Sequence, residues 1–271
     1  MIFKLIIAAT VIILVSLGIW KLYDNEQLAN VSQPPIKGET VSDQIPSAPF
    51  YFEENKGQVD EQVKFLAKSG STTIFFTPTE IVYQMTLASD RPKRFSPSQL
   101  PGETQDEAGN ETLRGVIIRQ KFVGAVTEEI KGENKLESQV NYFRGSDPSK
   151  WLKEIPTFSS IRYVNLYPGI DVVFSGGDRG VEYTFYVSDQ ANVAQIQQRY
   201  EGIDDLELQP DGSLLLHTAI GNMLVPAPKA YELNNPTELK TVSYRTIDGS
   251  TVGFDISTDI SDGILVITTK D

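Results

Sequence analysis

The sequence contains no cysteine. Disulfide staples, a thiol nucleophile, zinc–thiolate sites and a lipid anchor on cysteine are excluded by that absence. Histidine is nearly absent too: His217 is the only one, so no metal site built from several imidazoles can form. A Ser–His–Asp arrangement would have to use His217, and no G-x-S-x-G segment is available to present the serine. Positive charge is in short supply, with 24 Lys and Arg against 36 Asp and Glu and a formal net charge of −12. That sign opposes binding to a phosphate backbone, and no clustered basic face offsets it, so nucleic acid is not an expected partner. The chain has no repeat of fixed period, which removes propellers and solenoids. It has no D-x-[DN]-x-[DN]-G loop, so Asp204, Asp205 and Asp211-Gly212 read as hairpin chemistry rather than a calcium site. Gly176-Gly177 does not lead from a strand into a helix and is a turn, not a phosphate cradle. No metal and no cofactor is expected, and carboxylates remain as the groups able to carry catalysis.

What is present begins at the N-terminus. Leu5–Trp20 is a run of 16 residues without a charge, flanked by Lys4 and Lys21. As a helix it spans roughly 24 Å, short of a hydrocarbon core of about 30 Å. Ile2, Phe3 and Leu22 lengthen the apolar stretch, and both lysines can reach the interfaces. The run continues through Ile19 and Trp20 past Ser16-Leu17-Gly18, and no A-x-A site follows. Residues 1–23 therefore read as an uncleaved signal anchor, with a cleaved signal peptide as the alternative. Lys4 stands on one side without an acid, whereas Asp24 and Glu26 follow on the other, which orients the rest of the chain away from the cytoplasm. The expected location is the cell membrane, single-pass through Leu5–Trp20, or a secreted or periplasmic one after cleavage. Residues 24–49, rich in Gln, Ser and Pro without an apolar period, read as a flexible tether. Residues 89–110 read as a mobile surface loop, and Thr127–Glu137 as a shorter charged connection.

From residue 50 to 271 short segments alternate in hydropathy and favour β-branched and aromatic residues, as in Thr72–Phe76, Ile81–Leu87, Val181–Val187 and Thr251–Ile256. Asp211-Gly212, Asp248-Gly249 and Asp262-Gly263 supply hairpin turns between them. Only Asn192–Gln195 offers a short helical candidate. The expected fold is all-β, one large or two packed antiparallel β-sandwiches following an N-terminal transmembrane helix.

Three clusters carry a family resemblance. The first is Phe52-Glu53-Glu54-Asn55-Lys56-Gly57-Gln58 with Val63–Ala67; the second is Asn141-Tyr142-Phe143 with Gly145–Trp151 and Pro156-Thr157-Phe158; the third is Arg162-Tyr163 to Asp171, continuing to Phe185. Together they resemble the N-terminal β-rich domain that precedes β-propeller (SBBP-type) repeats in bacterial exported and cell-surface proteins. The resemblance covers roughly Phe50 to Ile267 and implies a β-rich extracytoplasmic module, with no catalytic residue to carry over. Repeats follow that domain in the family, whereas Asp271 closes this sequence directly after its last strand, so no function of the repeats is transferred.

The clearest hairpin is Ile170–Val187. Pairing Ser175 with Gly180 leaves a four-residue loop and gathers Val172, Phe174, Val181, Tyr183 and Phe185 on one face. The other face then carries Asp171, Glu182 and Tyr186, with Asp171 and Glu182 as diagonal neighbours roughly 7 Å apart. Two carboxylates at that separation suit glycoside hydrolysis, but an ordinary solvated face, with Asp171 accepting a hydrogen bond at the Tyr167-Pro168-Gly169 turn, is the preferred reading. Tyr186 with these acids can also make a carbohydrate- or protein-binding face. Trp151 is the fourth candidate binding residue, although aromatics at this spacing (Tyr142, Phe143, Phe158, Tyr163, Tyr167) belong more often in a core. The expected function is non-enzymatic: a membrane-tethered domain contacting an envelope protein or polysaccharide, with a carboxylate-pair hydrolase as the alternative.

Overall fold

The computed structural model describes residues 50–87, 115–177, 180–256 and 263–270. The Leu5–Trp20 anchor, the tether to residue 49 and the 89–110 loop lie outside the described residues. Among the described residues no helix is long and apolar enough to cross a membrane. Ala48–Asp271 forms one compact unit, described alone below.

The described residues form strands, two 3-10 turns and connections. The strands are β1 (Phe52–Glu54), β2 (Phe65–Ser69), β3 (Thr72–Phe76), β4 (Glu80–Thr86), β5 (Gly115–Phe122) and β6 (Glu129–Tyr142). They continue with β7 (Leu152–Tyr167), β8 (Ile170–Gly177), β9 (Gly180–Val187), β10 (Gln198–Glu201), β11 (Asp205–Leu208) and β12 (Leu214–Thr218). The last are β13 (Gly221–Val225), β14 (Lys229–Glu232), β15 (Asn235–Lys240), β16 (Val242–Thr246), β17 (Thr251–Ile256) and β18 (Leu265–Thr268). The helical candidate at Asn192–Gln195 is a single 3-10 turn, Val193–Gln195, capped by the Asn192 side chain.

The all-β expectation holds, and every strand pairing is antiparallel. The layers, however, belong to one continuous 15-stranded sheet, ordered β15-β14-β18-β9-β8-β7-β1-β2-β3-β4-β5-β10-β17-β16, with β6 paired to β7. Its two ends, β15 and β16, are separated in the chain by Thr241 alone. The sheet therefore rolls, and strands far apart in the order meet across the core. Phe174 of β8 packs 5.7 Å from Phe76 of β3 and 6.3 Å from Phe122 of β5, and Phe185 of β9 lies 5.9 Å from Phe254 of β17. The small sheet β11-β12-β13 turns Leu214 and Leu216 into the same core.

Tyrosines thread polar groups through that apolar interior. The Tyr83 hydroxyl donates to Gln120 Oε1 (2.9 Å), and Gln120 Nε2 donates to Gln198 Oε1 (2.6 Å). Tyr183 and Tyr244 share a hydroxyl–hydroxyl bond of 2.5 Å, and Tyr244 donates onward to the Pro226 carbonyl. Tyr163 donates to the Thr77 carbonyl and Tyr167 to that of Gln197. Such bonds offset the penalty of burying a phenol.

The segment read as a charged connection, Thr127–Glu137, is instead most of β6, a 14-residue strand. Among the described residues its partner is β7 alone, and most of its residues are exposed, so neither face needed apolar alternation. Asp211-Gly212 and Asp248-Gly249 make the expected hairpins, each aspartate accepting from the backbone N–H two residues on.

Candidate functional site

The Ile170–Val187 hairpin presents the expected faces in a different register. Gly177 pairs with Gly180 and Ser175 with Glu182, so the loop has two residues rather than four. Asp171 stands opposite Tyr186, which puts Glu182 four residues along β9 from its partner position. That separation is about 14 Å along the strand, beyond both carboxylate spacings of glycosidases. Asp171 and Glu182 are therefore not the diagonal pair expected. The carboxylate of Asp171 is engaged elsewhere: Oδ1 accepts from the Asn165 N–H (2.9 Å) and Oδ2 from Arg162 (3.2 Å). Asn165 has a φ of 47° inside the irregularity between Tyr163 and Tyr167, so Asp171 fastens this bulge rather than the Tyr167-Pro168-Gly169 turn.

Arg162 is the centre of the outer face here. Its Nε donates to Glu133 Oε1 (2.6 Å), and its guanidinium lies 5.0 Å from the Tyr186 ring centroid. Partial burial works against its charge, but Glu133 and Asp171 outweigh that and hold it more firmly protonated than an ordinary arginine. Tyr186 is thereby fixed from beneath by a cation that two carboxylates hold in place.

Around Tyr186 the outer face of β6, β7, β8, β9, β18, β14 and β15 forms a groove of about 640 Å³. Strand registers line up Arg162, Val173, Thr184, Thr268 and Lys229 across five neighbouring strands. The adjacent row runs Asp171, Tyr186, Val266, Tyr231 and Leu239. Tyr186 and Tyr231 are thus two strand spacings apart, about 10 Å. Ser159, Ser160 and Ser175 add hydroxyls to the lining. Sequence reasoning reached Tyr186 but not Tyr231, Lys229, Arg162 or Lys270; no local pattern places β14 and β18 beside β9.

Trp151 is not among the residues lining the groove, nor is it inserted into the core. It lies half-buried beside the tip of the β6–β7 hairpin, its indole N–H donating to the Gly145 carbonyl (3.2 Å) and its ring 5.1 Å from that of Phe143, which is 61% exposed. Tyr163 and Tyr167 are buried, as expected of core aromatics. His217 faces outward on β12, 3.3 Å from Glu207. Among the described residues no three His, Asp or Glu side chains gather as a metal site.

The motif clusters turn out to be mutual supports. Glu53, 1% exposed, accepts from the Tyr142 hydroxyl and faces Lys68 Nζ at 3.3 Å. Lys68 and Arg144 lie 5.0 and 5.2 Å from the Tyr142 ring centroid. Burial and then the bond to Glu53 raise the Tyr142 pKa. Asn55 closes the loop after β1, its amide donating to the carbonyls of Asp60 (2.7 Å) and Val63 (2.8 Å) while its oxygen accepts from the Gly57 N–H. These residues bind their own chain, which explains their spacing without a ligand.

A family model described as a domain of unknown function (DUF7948) matches residues 52–267. No curated protein and no solved structure matches the chain.

Proposed function

The chain belongs to the DUF7948 family, and we propose that its domain is a non-enzymatic, extracytoplasmic binding module that holds a polysaccharide of the cell envelope in the groove around Tyr186. The observation that carries this reading is that Tyr186 and Tyr231 stand on either side of Val266, two strand spacings or about 10 Å apart at the backbone along one trough, close to the repeat of an extended disaccharide. Sugar rings stack on aromatic faces, and their hydroxyls pair with the serine, threonine and charged groups that line the trough. A lining this polar suits a saccharide better than an apolar protein surface.

The same reading takes residues 1–23 as the signal anchor and 24–49 as the tether that holds the module off the membrane, with SBBP-type exported proteins as the setting in which such domains occur. Binding is tested by titrating the protein with soluble envelope polysaccharides. Tyr186→Ala and Tyr231→Ala are each expected to weaken binding about tenfold; unaltered affinity in both variants would refute the groove as the site. Mass spectrometry of the mature N-terminus tests the anchor, and a chain starting near Ile19 would exclude it.

A further inference from the structure

We propose that the tip of the β6–β7 hairpin docks on the surface of an anionic phospholipid bilayer, with Phe143 and Trp151 entering the interface and Arg144, Lys150 and Lys153 facing the lipid phosphates. This goes beyond the polysaccharide reading and makes no use of the groove around Tyr186.

The hairpin outruns β1. Strand β1 pairs with β7 at Phe158 and Thr157, whereas the β6–β7 ladder continues to Tyr142 opposite Leu152. Every residue from Phe143 to Lys150 is exposed. On so open a tip Phe143 is nevertheless 61% exposed and sets its ring edge-on against half-buried Trp151, centroids 5.1 Å apart. The two rings make an apolar knob whose contact with water is lost on entering a membrane interface.

Cations stand beside the knob. Lys153 Nζ lies 5.6 Å from the Trp151 ring centroid, the Arg144 guanidinium lies 5.2 Å from that of Tyr142, and Lys150 immediately precedes Trp151. Rings that settle among lipid headgroups, with long basic side chains reaching the phosphates, are the chemistry of an interfacial anchor. Asp147 and Glu154 also belong to the tip, which leaves a surplus of one positive charge in a chain of net charge −12. Asp147 shapes the turn: its Oδ1 accepts from the Ser149 N–H (3.0 Å) and hydroxyl (2.7 Å), and its other oxygen lies 4.0 Å from Lys150. The Trp151 indole N–H is held by the Gly145 carbonyl and the Glu154 N–H by Asn141 Oδ1 (2.9 Å), so the tip is ordered before it meets a surface. A protruding knob flanked by cations fits a plane of negative charge.

The test uses the full-length protein carrying Trp20→Phe, which leaves Trp151 as its single tryptophan. It is mixed with phosphatidylcholine vesicles and with equimolar phosphatidylcholine–phosphatidylglycerol vesicles, each containing lipids brominated near the headgroup. On the anionic vesicles Trp151 emission should shift to the blue and be quenched, with docking about fivefold more favourable than on phosphatidylcholine and the advantage shrinking as salt rises. Phe143→Ser should weaken quenching on both vesicles, and Lys150→Gln with Lys153→Gln should remove the anionic preference, with circular dichroism unchanged in each. Sedimentation with vesicles while Trp151 stays unquenched overturns the proposal, as do equal quenching on both vesicles and failure to associate with either. A Trp151 shift produced instead by soluble polysaccharide, or by concentrating the protein without lipid, assigns the tip to a sugar or a second copy and overturns it too. Tyr186→Ala should leave Trp151 quenching unaltered, so failure of the groove and failure of the tip are read separately.

Discussion

Six buried tyrosines make alkaline pH the sharpest probe of the rolled sheet. Tyr83, Tyr163, Tyr183, Tyr200 and Tyr244 all have their pKa raised above 10 by burial, and Tyr167 is pushed up to about 12 by the same cause. Below pH 10 these phenols are protonated in both the folded and the unfolded chain, so they do not bias the equilibrium. Above pH 10 the unfolded chain releases their protons and the folded one keeps them, so stability falls as pH rises toward the folded-state values. Each group then removes about 1.4 kcal/mol per pH unit. At pH 11 the six together remove about 8 kcal/mol, comparable with the whole stability of a typical domain, roughly 5–15 kcal/mol. The protein should unfold cooperatively between about pH 10.5 and 11.5. Phenolate absorbance near 295 nm and circular dichroism, followed together, should change in one shared step for these six. Tyr200→Phe should reduce the steepness of the stability decline by about one sixth. Ionisation of all tyrosines near pH 10 with the β signal intact would show that the sheet does not close over them and would refute the reasoning.

Two further perturbations test particular contacts. Tyr142→Phe removes a donor to the buried Glu53 carboxylate and should lower stability by about 1.5–3 kcal/mol in urea unfolding, but by much less when Glu53 is already Gln. Gly202→Ala should cost at least about 3 kcal/mol, because an added Cβ at φ +79° would stand 2.0 Å from the Ile117 carbonyl oxygen. Gly57→Ala, where the φ is +107° but the space is open, should cost only about 1–2 kcal/mol by the same measurement.

The strands that could be read in the sequence are those with one buried face. Thr72–Phe76 has the observed bounds and Val181–Val187 falls within β9, because alternation there records burial on one side. Strand β6 escaped notice since an edge strand exposed on both sides has no alternation to record. The Ile170–Val187 hairpin shows a subtler limit. Its faces were legible, yet its register was two residues off, because shifting a period-2 pattern by two leaves every side chain on the same face. Turn length alone decided between the two registers, and with it whether Asp171 and Glu182 could be neighbours. For the candidate site only Tyr186 and the Asp171 side of the network were visible; Lys229 and Tyr231 sit on a four-residue strand whose outer residues look like any surface.

By itself the sequence determined the chemical inventory and the local grammar: no thiol, one imidazole, an acidic surface, and short alternating strands joined by Asp-Gly turns. These follow from composition and from contacts between near neighbours, which a linear pattern can record. The rolling of one sheet around a single tyrosine-threaded core, and the meeting of β14 and β18 with β9 to form a groove, were decided only in three dimensions. Strand order depends on pairings between segments as distant as Thr184 and Thr268, and backbone hydrogen bonds that join them leave no mark on either segment alone.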